Sequence, residues 1–286
     1  MANIYNTIYM NIRQRLRRAG VEEAQLEARE LICCATGKSR EEFYRCMQLY
    51  ATTDTEAAIE ALVQRRLSGE PLAYILGHWD FYGLDLLVNS SVLIPRPDTE
   101  RVAERAIEIA KGSGNHARVL DLCCGTGCIG LAVAKHALNC RVVLADISDE
   151  ALSVARKNMV RTGLSGQITT FRADALERPP ELIWDFNLIV CNPPYVRSSD
   201  MAGLDPSVRD FEPALALDGG PDGLEFYRRV AANWRKAMRS TCILLFEVGD
   251  DQVEDVERIL ASNGYRNLRR HKDAFGHWRG VEGSVM

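Results

Sequence analysis

Through residues 1–70 the apolar positions recur at helical spacing, and Gly20, Gly37 and Gly69 separate the segments. Ile4, Ile8, Ile12 and Leu16 fall on one helix face, and Thr53 or Asp54 can cap a helix over residues 57–67. From residue 72 to 94 the pattern changes. Tyr74, Ile75, Trp79, Phe81, Leu84, Leu86 and Val88 are mixed with Gly77 and Gly83, which predicts a β-hairpin. Pro95 and Pro97 stop any regular element, and Asp98 or Thr99 can cap a helix to about Ala110. Beyond residue 117, short apolar strands alternate with amphipathic helices. Strands are predicted at 118–122, 141–146, 168–171, 187–191 and 242–248, and helices at 129–138, 149–161, 224–238 and 251–262. That alternation predicts an α/β fold with a parallel, doubly wound sheet, whose ligands bind at the carboxyl ends of the strands.

Composition narrows the picture. The 286 residues are 47 % hydrophobic and 26 % charged, ordinary for a globular chain long enough to bury a core without metal or disulfide. The net charge of −4 argues against a protein whose main task is to coat nucleic acid. Nine cysteines without a C-x-x-C pair read as free thiols in a reducing cytoplasm, and the five histidines show no metal spacing. No apolar run is long enough to span a membrane, and no secretory signal opens the chain. Arg13, Arg15, Arg17 and Arg18 form either a solvated helix face or a surface for a partner; a cleaved transit peptide is the alternative.

Two loops carry the candidate chemistry. After the first sheet strand comes Asp121-Leu122-Cys123-Cys124-Gly125-Thr126-Gly127-Cys128-Ile129-Gly130, a formal G-x-G-x-x-G. It admits a dinucleotide reading, with pyrophosphate at a helix N-terminus, and an S-adenosylmethionine reading. Asp121 favours the second, because a carboxylate suits a cation and repels a pyrophosphate. Asp146, at the end of the second strand, can accept from both hydroxyls of a ribose in either case. Asp174, after the third strand, can accept from an adenine amino group. A tight turn without a ligand is the plain alternative.

The second loop is Asn192-Pro193-Pro194-Tyr195, directly after an apolar strand. Two prolines remove two donors and fix two φ angles, leaving a rigid corner rich in acceptors. The Asn192 side-chain oxygen and a backbone carbonyl can both accept from one planar NH₂, and Tyr195 offers a flat face. Two such acceptors would turn the lone-pair axis of a poorly nucleophilic amide or aryl amine toward a methyl donor. Glu247 either lines this cleft or simply ends its strand.

At this point the sequence resembles a known family. Asn192-Pro193-Pro194-Tyr195 is the signature of methyltransferases acting on planar nitrogens. Ile94-Pro95-Arg96-Pro97-Asp98-Thr99-Glu100, Phe211-Glu212-Pro213-Ala214-Leu215 and Gly219-Gly220-Pro221-Asp222-Gly223-Leu224 resemble segments of the bacterial peptide chain release factor N(5)-glutamine methyltransferases, over nearly the whole chain. The resemblance implies a seven-stranded, Rossmann-like class I methyltransferase domain at 96–286, a hairpin linker at 72–95 and a helical substrate-docking domain at 1–71. It implies a monomeric cytoplasmic enzyme that methylates the glutamine of the Gly-Gly-Gln motif of class 1 release factors. S-adenosylmethionine would leave as S-adenosylhomocysteine, with no metal, membrane or nucleic-acid partner. Asp121, Cys123, Cys124, Gly125, Thr126, Gly127, Asp146, Asp174, Ala175 and Asn192 would hold the cofactor, and Asn192, Pro193, Pro194 and Tyr195 the glutamine. The family commonly has glycine where Cys123 stands; a positive φ there would cost the cysteine of order 1 kcal/mol or more. Ala175 replaces a larger residue, which shifts adenine packing toward Leu176 or other neighbours. The competing readings are a DNA or RNA adenine methyltransferase, a nicotinamide-dependent oxidoreductase resting on Gly125–Gly130, and a binding module that keeps the fold without catalysis.

Overall fold

The computed structural model of the protein describes residues 3–285. The chain opens with α1 (Tyr5–Arg18), α2 (Ala24–Thr36), α3 (Arg40–Arg45), α4 (Thr53–Leu67) and α5 (Leu72–Leu76). A hairpin of β1 (His78–Phe81) and β2 (Leu84–Leu87) leads to α6 (Thr99–Gly112). Then follow β3 (Arg118–Leu122), α7 (Cys128–His136), β4 (Arg141–Asp146), α8 (Asp149–Arg161), β5 (Ile168–Arg172) and β6 (Phe186–Cys191). The chain closes with α9 (Pro206–Arg209), α10 (Glu225–Asn233), β7 (Met238–Glu247), α11 (Val253–Ser262), β8 (Arg266–Lys272) and β9 (Trp278–Ser284). Two compact units result. One runs to Gly77 and takes in Pro206–Phe211; the other holds His78–Asp205 and continues from Glu212.

The helical unit follows its apolar spacing. Ile12 and Leu16 of α1 are buried, as are Leu31 and Ile32 of α2 and Ile59 and Val63 of α4. Gly37 ends α2 in the left-handed conformation at φ 66°, while Thr52, one residue before the expected caps, accepts the Thr55 amide at the start of α4. Residues 72–76 correct the hairpin expectation. They form α5, because Leu72, Ala73, Tyr74 and Ile75 are all buried, and a strand with one buried face cannot bury four successive side chains. Gly77, at φ 76°, releases the chain into the shorter hairpin.

The second unit is a seven-stranded sheet in the order β5-β4-β3-β6-β7-β9-β8. The five strands from β5 to β7 are parallel, and β9 and β8 are added antiparallel. Both faces are covered, which is why the central strands read as continuous apolar runs. Val119, Leu188 and Val190 enter the core under α6, α7 and α8. Leu120, Leu122 and Ile189 enter the core under α10 and α11, with Tyr227 and Trp234. The doubly wound expectation is borne out. The helix expected over 224–238 stops at Asn233, continues as a 3₁₀ turn through Ala237, and gives way to β7 at Met238. β8 and β9 had no alternating apolar pattern to reveal them: β8 is charged and mostly exposed, and β9 contains two glycines. Cross-strand pairing and contacts such as Lys272 over the Trp278 ring, 4.4 Å from its centroid, hold them.

The strand order reverses between β3 and β6. Loops leaving these neighbours diverge, so a crevice opens at their carboxyl ends.

Candidate active site

A cavity of about 310 Å³ occupies that crevice. Asp121, Cys123, Cys124, Gly125, Thr126, Asp146, Asp174, Ala175, Asn192 and Pro194 all reach it. The loops after four different strands therefore converge on one space. Gly127 sits just outside as the left-handed N-cap of α7, and Pro193 and Tyr195 also lie off its wall. Residues not singled out as site residues in the sequence supply further lining: Val92, Pro95, Arg96, Thr99, Ile147 and Phe226 among them.

The loop after β3 is held by its acids. Asp146 Oδ2 accepts the Gly125 amide at 2.9 Å, and its Oδ1 accepts the Ser148 amide at 3.0 Å. Asp121 Oδ2 accepts the Gly130 amide at 2.8 Å. Burial pushes the Asp121 carboxyl up to about 7, against the lowering effect of that amide, and burial raises Asp146 too. Cys123 adopts φ 61°, the left-handed region that favours glycine. Packing favours glycine at position 130. A Cβ there would stand 2.3 Å from Leu144 Cδ2 and 3.0 Å from Asp121 Oδ2, so its absence lets α7 lie close on β4.

The corner after β6 is braced by segments far away in sequence. Gly219 passes so close that a Cβ would lie 2.7 Å from the Pro194 carbonyl oxygen and 2.7 Å from Tyr195 Cα. Gln252, 3 % exposed, donates from Nε2 to the Tyr195 carbonyl at 3.0 Å and to the Gly223 carbonyl at 3.2 Å. Glu212 is buried behind Arg96, which lines the cavity; it accepts the Ile94 amide at 3.0 Å and forms a short ion pair with Arg96. The three remote sequence segments that accompany the Asn-Pro-Pro-Tyr corner thus build one site: two form a wall, and the third props the corner.

Other expectations change in detail. Asp98 sits at the N-cap of α6 but makes no side-chain cap; its carboxylate pairs with Arg279 at 2.9 Å. Asn158, fully buried, was missed. It donates to the Thr126 carbonyl at 3.0 Å and the Leu87 carbonyl at 3.1 Å, and accepts the Leu87 amide at 2.7 Å, clamping the glycine loop to β2. The available signal was an asparagine on the apolar face of α8, between Ala155 and Met159.

Four acids and one base line the cavity. The base, Arg96, is already paired with Glu212, so the surface faces a ligand with uncompensated carboxylates. Such a set of acceptors suits a cation carrying a diol and repels a pyrophosphate. The glycine loop is open at Gly125, where a Cβ would meet nothing within 4 Å. The residues present therefore fit S-adenosylmethionine better than a dinucleotide.

Comparison with known proteins agrees with this geometry. The PrmC N-terminal domain matches residues 8–77, and the Methyltransferase small domain matches residues 107–204. A release factor glutamine methyltransferase of Agrobacterium fabrum is 41 % identical over 270 residues, covering 93 % of this chain and 92 % of that protein. The chain belongs to the release factor glutamine methyltransferase family. A second member, from Geobacter sulfurreducens, is 38 % identical, with 94 % of this chain and 93 % of that protein covered. Among solved structures, the hMettl16 catalytic domain in complex with a MAT2A 3′UTR hairpin aligns at a TM-score of 0.55 and 14 % identity, covering 84 % of this chain and 85 % of that one. At that identity the likeness shows the fold, a class I methyltransferase fold, and nothing of the substrate. Among the described residues no helix is long and apolar enough to cross a membrane.

Proposed function

We propose that the protein transfers the methyl group of S-adenosylmethionine to the side-chain amide nitrogen of the glutamine in the Gly-Gly-Gln motif of class 1 peptide chain release factors. Family membership along nearly the whole chain supports the reaction class and the substrate. The observation that carries the reading is the position of Asn192: a rigid amide on the wall of an acid-lined cavity, beside the loop after β3.

When bound, S-adenosylmethionine supplies a methyl carbon activated by its sulfonium. Asp121, Asp146, Asp174 and the 123–127 loop would hold that cofactor, with Ala175, Leu176 and Phe226 as apolar wall. Asn192 Oδ1 and the Pro193 carbonyl would accept the two N–H bonds of the glutamine amide, turning its lone-pair axis into the cavity. The same acceptors stabilise the positive charge that develops on nitrogen during transfer. Tyr195, held by Gln252 and Gly219, would pack on the amide plane. The nitrogen gives up one N–H proton to water as it takes the methyl group, and the reaction needs no covalent enzyme intermediate.

The helical unit would dock the release factor. Exposed Tyr44, Leu49 and Tyr50 support this role, as does the reach of Arg17 and Arg18 into solvent, whereas Arg15 is taken up by Glu60 at 2.7 Å. The test is the mass of a purified class 1 release factor before and after incubation with the protein and S-adenosylmethionine. A gain of one methyl group on the Gly-Gly-Gln glutamine is expected; transfer to an oligonucleotide adenine instead would overturn the substrate assignment.

A further inference from the structure

Glu247 ends β7 and is 3 % exposed, yet it takes part in no ion pair among the described residues. Its Oε2 is buried without a hydrogen-bond partner, and so is the hydroxyl oxygen of Thr99, which faces it. The Asn192 side chain faces the same carboxyl. A buried acceptor with an open valence beside the amide that does the gripping calls for a reason.

Resting on the glutamine-methylation reading above, we infer that Glu247 is a positioning residue: it draws the NH₂ end of the Asn192 amide toward itself and leaves Oδ1 to face the cavity. An amide has a donor end and an acceptor end of nearly the same shape, so packing alone does not choose between them. A carboxylate only accepts, and it therefore selects one orientation. The protonated acid can also donate to Oδ1, which would turn the NH₂ outward and present donors to an incoming NH₂. Asn192 then grips its substrate only while Glu247 is ionised.

Burial raises the Glu247 carboxyl to about 7, partly opposed by Thr99, Arg279 and Asn192. The other titratable and charged groups that face it are Asp98 at the start of α6, Cys128 of α7, Tyr195 and Tyr227. Burial holds Cys128, Tyr195 and Tyr227 protonated well above neutrality, and Asp98 and Arg279 are paired with each other. Asp121, which faces Cys128 from β3, is raised to about 7 as well, so the limb assigned to Glu247 is the part that Glu247→Gln removes and Asp121→Asn keeps.

The test is the pH profile of kcat at saturating S-adenosylmethionine, with a purified release factor as substrate. In the wild type, kcat falls as the pH is lowered through about 7. Glu247→Gln loses that limb and roughly 10- to 100-fold in kcat, because the amide is no longer held one way round, while cofactor affinity stays near wild type and the thermal midpoint is no lower than wild type. Glu247→Asp restores part of the rate and the limb. An unchanged limb and rate in Glu247→Gln overturn the inference. A second readout does not depend on turnover. In ¹⁵N-labelled protein the Asn192 side-chain NH₂ pair, assigned by its loss in Asn192→Asp, shifts with a midpoint near 7 in the wild type and not in Glu247→Gln. If that pair titrates but the release factor gains no methyl group, the functional reading fails and the role of Glu247 stands. If it does not titrate, the inference falls.

Discussion

Asp121 Oδ2 accepts the Gly130 amide at 2.8 Å, which ties the end of β3 to the first turn of α7 directly under the cavity. The bond fixes one oxygen and leaves a buried carboxyl whose ionisation is costly. The carboxyl is thus held at the cavity wall at a cost to the fold.

Burial raises Asp121 from an ordinary 3.8 to about 7. Below about 7 it is largely neutral, so affinity for cationic S-adenosylmethionine is expected to rise as the pH passes upward through that value. Asp121→Asn should flatten this dependence and bind the cofactor weakly at pH 8, as measured by calorimetric titration. Stability moves the other way. Between about 4 and 7 the folded chain holds a proton that the unfolded chain has released, so stability falls as the pH rises across that window. Asp121→Asn should therefore unfold at a higher temperature than wild type at pH 8. A lower midpoint there would count against a buried, strained carboxylate.

Asn192→Ala removes the side-chain acceptor from the corner after β6. Transfer to the release factor should drop by about 100-fold or more, because a misaligned amide presents no lone pair to the methyl carbon. Cofactor affinity should stay close to wild type, since Asp121, Asp146 and Asp174 are untouched. Turnover that survives the change would mean that Asn192 does not orient the amide.

Cys123 stands at φ 61°. Cys123→Gly should relieve about 1 kcal/mol of backbone strain, raising the thermal midpoint by roughly 2–4 °C. Differential scanning calorimetry decides the matter. A midpoint at or below wild type would show that the thiol's packing outweighs the backbone term.

Glu282 of β9 is 3 % exposed and accepts from Arg105 of α6 at 2.8 and 2.9 Å and meets His271 of β8 at 3.0 Å. Burial acts to raise its pKa, but His271 and Arg105 outweigh it and bring the carboxyl to about 2. Its contribution is complete above its ordinary value of 4.5 and is lost as the pH falls from there toward about 2. Glu282→Ala takes the buried partner from Arg105, leaving it only the exposed Glu108 at 2.8 Å, and should cost about 1–3 kcal/mol in urea unfolding at pH 7. The acid-side slope between pH 4.5 and 2 should flatten in the same variant.

The sequence by itself determined which residues belong to strands buried on both faces, because parallel strands covered by helices need unbroken apolar runs, as at 187–191. It also marked the two loops that meet at the cavity. Asp121 next to the glycines and Asn192 before two prolines are local patterns, and local patterns are written in consecutive residues. Gly130 was legible as part of a motif, though its reason was not, since the Leu144 side chain that forbids a Cβ comes from another strand. Only the tertiary structure decided that Arg96 meets Glu212, that Gly219 lies against Tyr195, and that Gln252 and Asn158 hold the two loops from behind. The strands β8 and β9 exist because each pairs with a neighbour already in place, and no periodicity of their own announces them. Long-range hydrogen bonds and close backbone approach depend on which segments the topology brings together, and that is settled when the sheet closes.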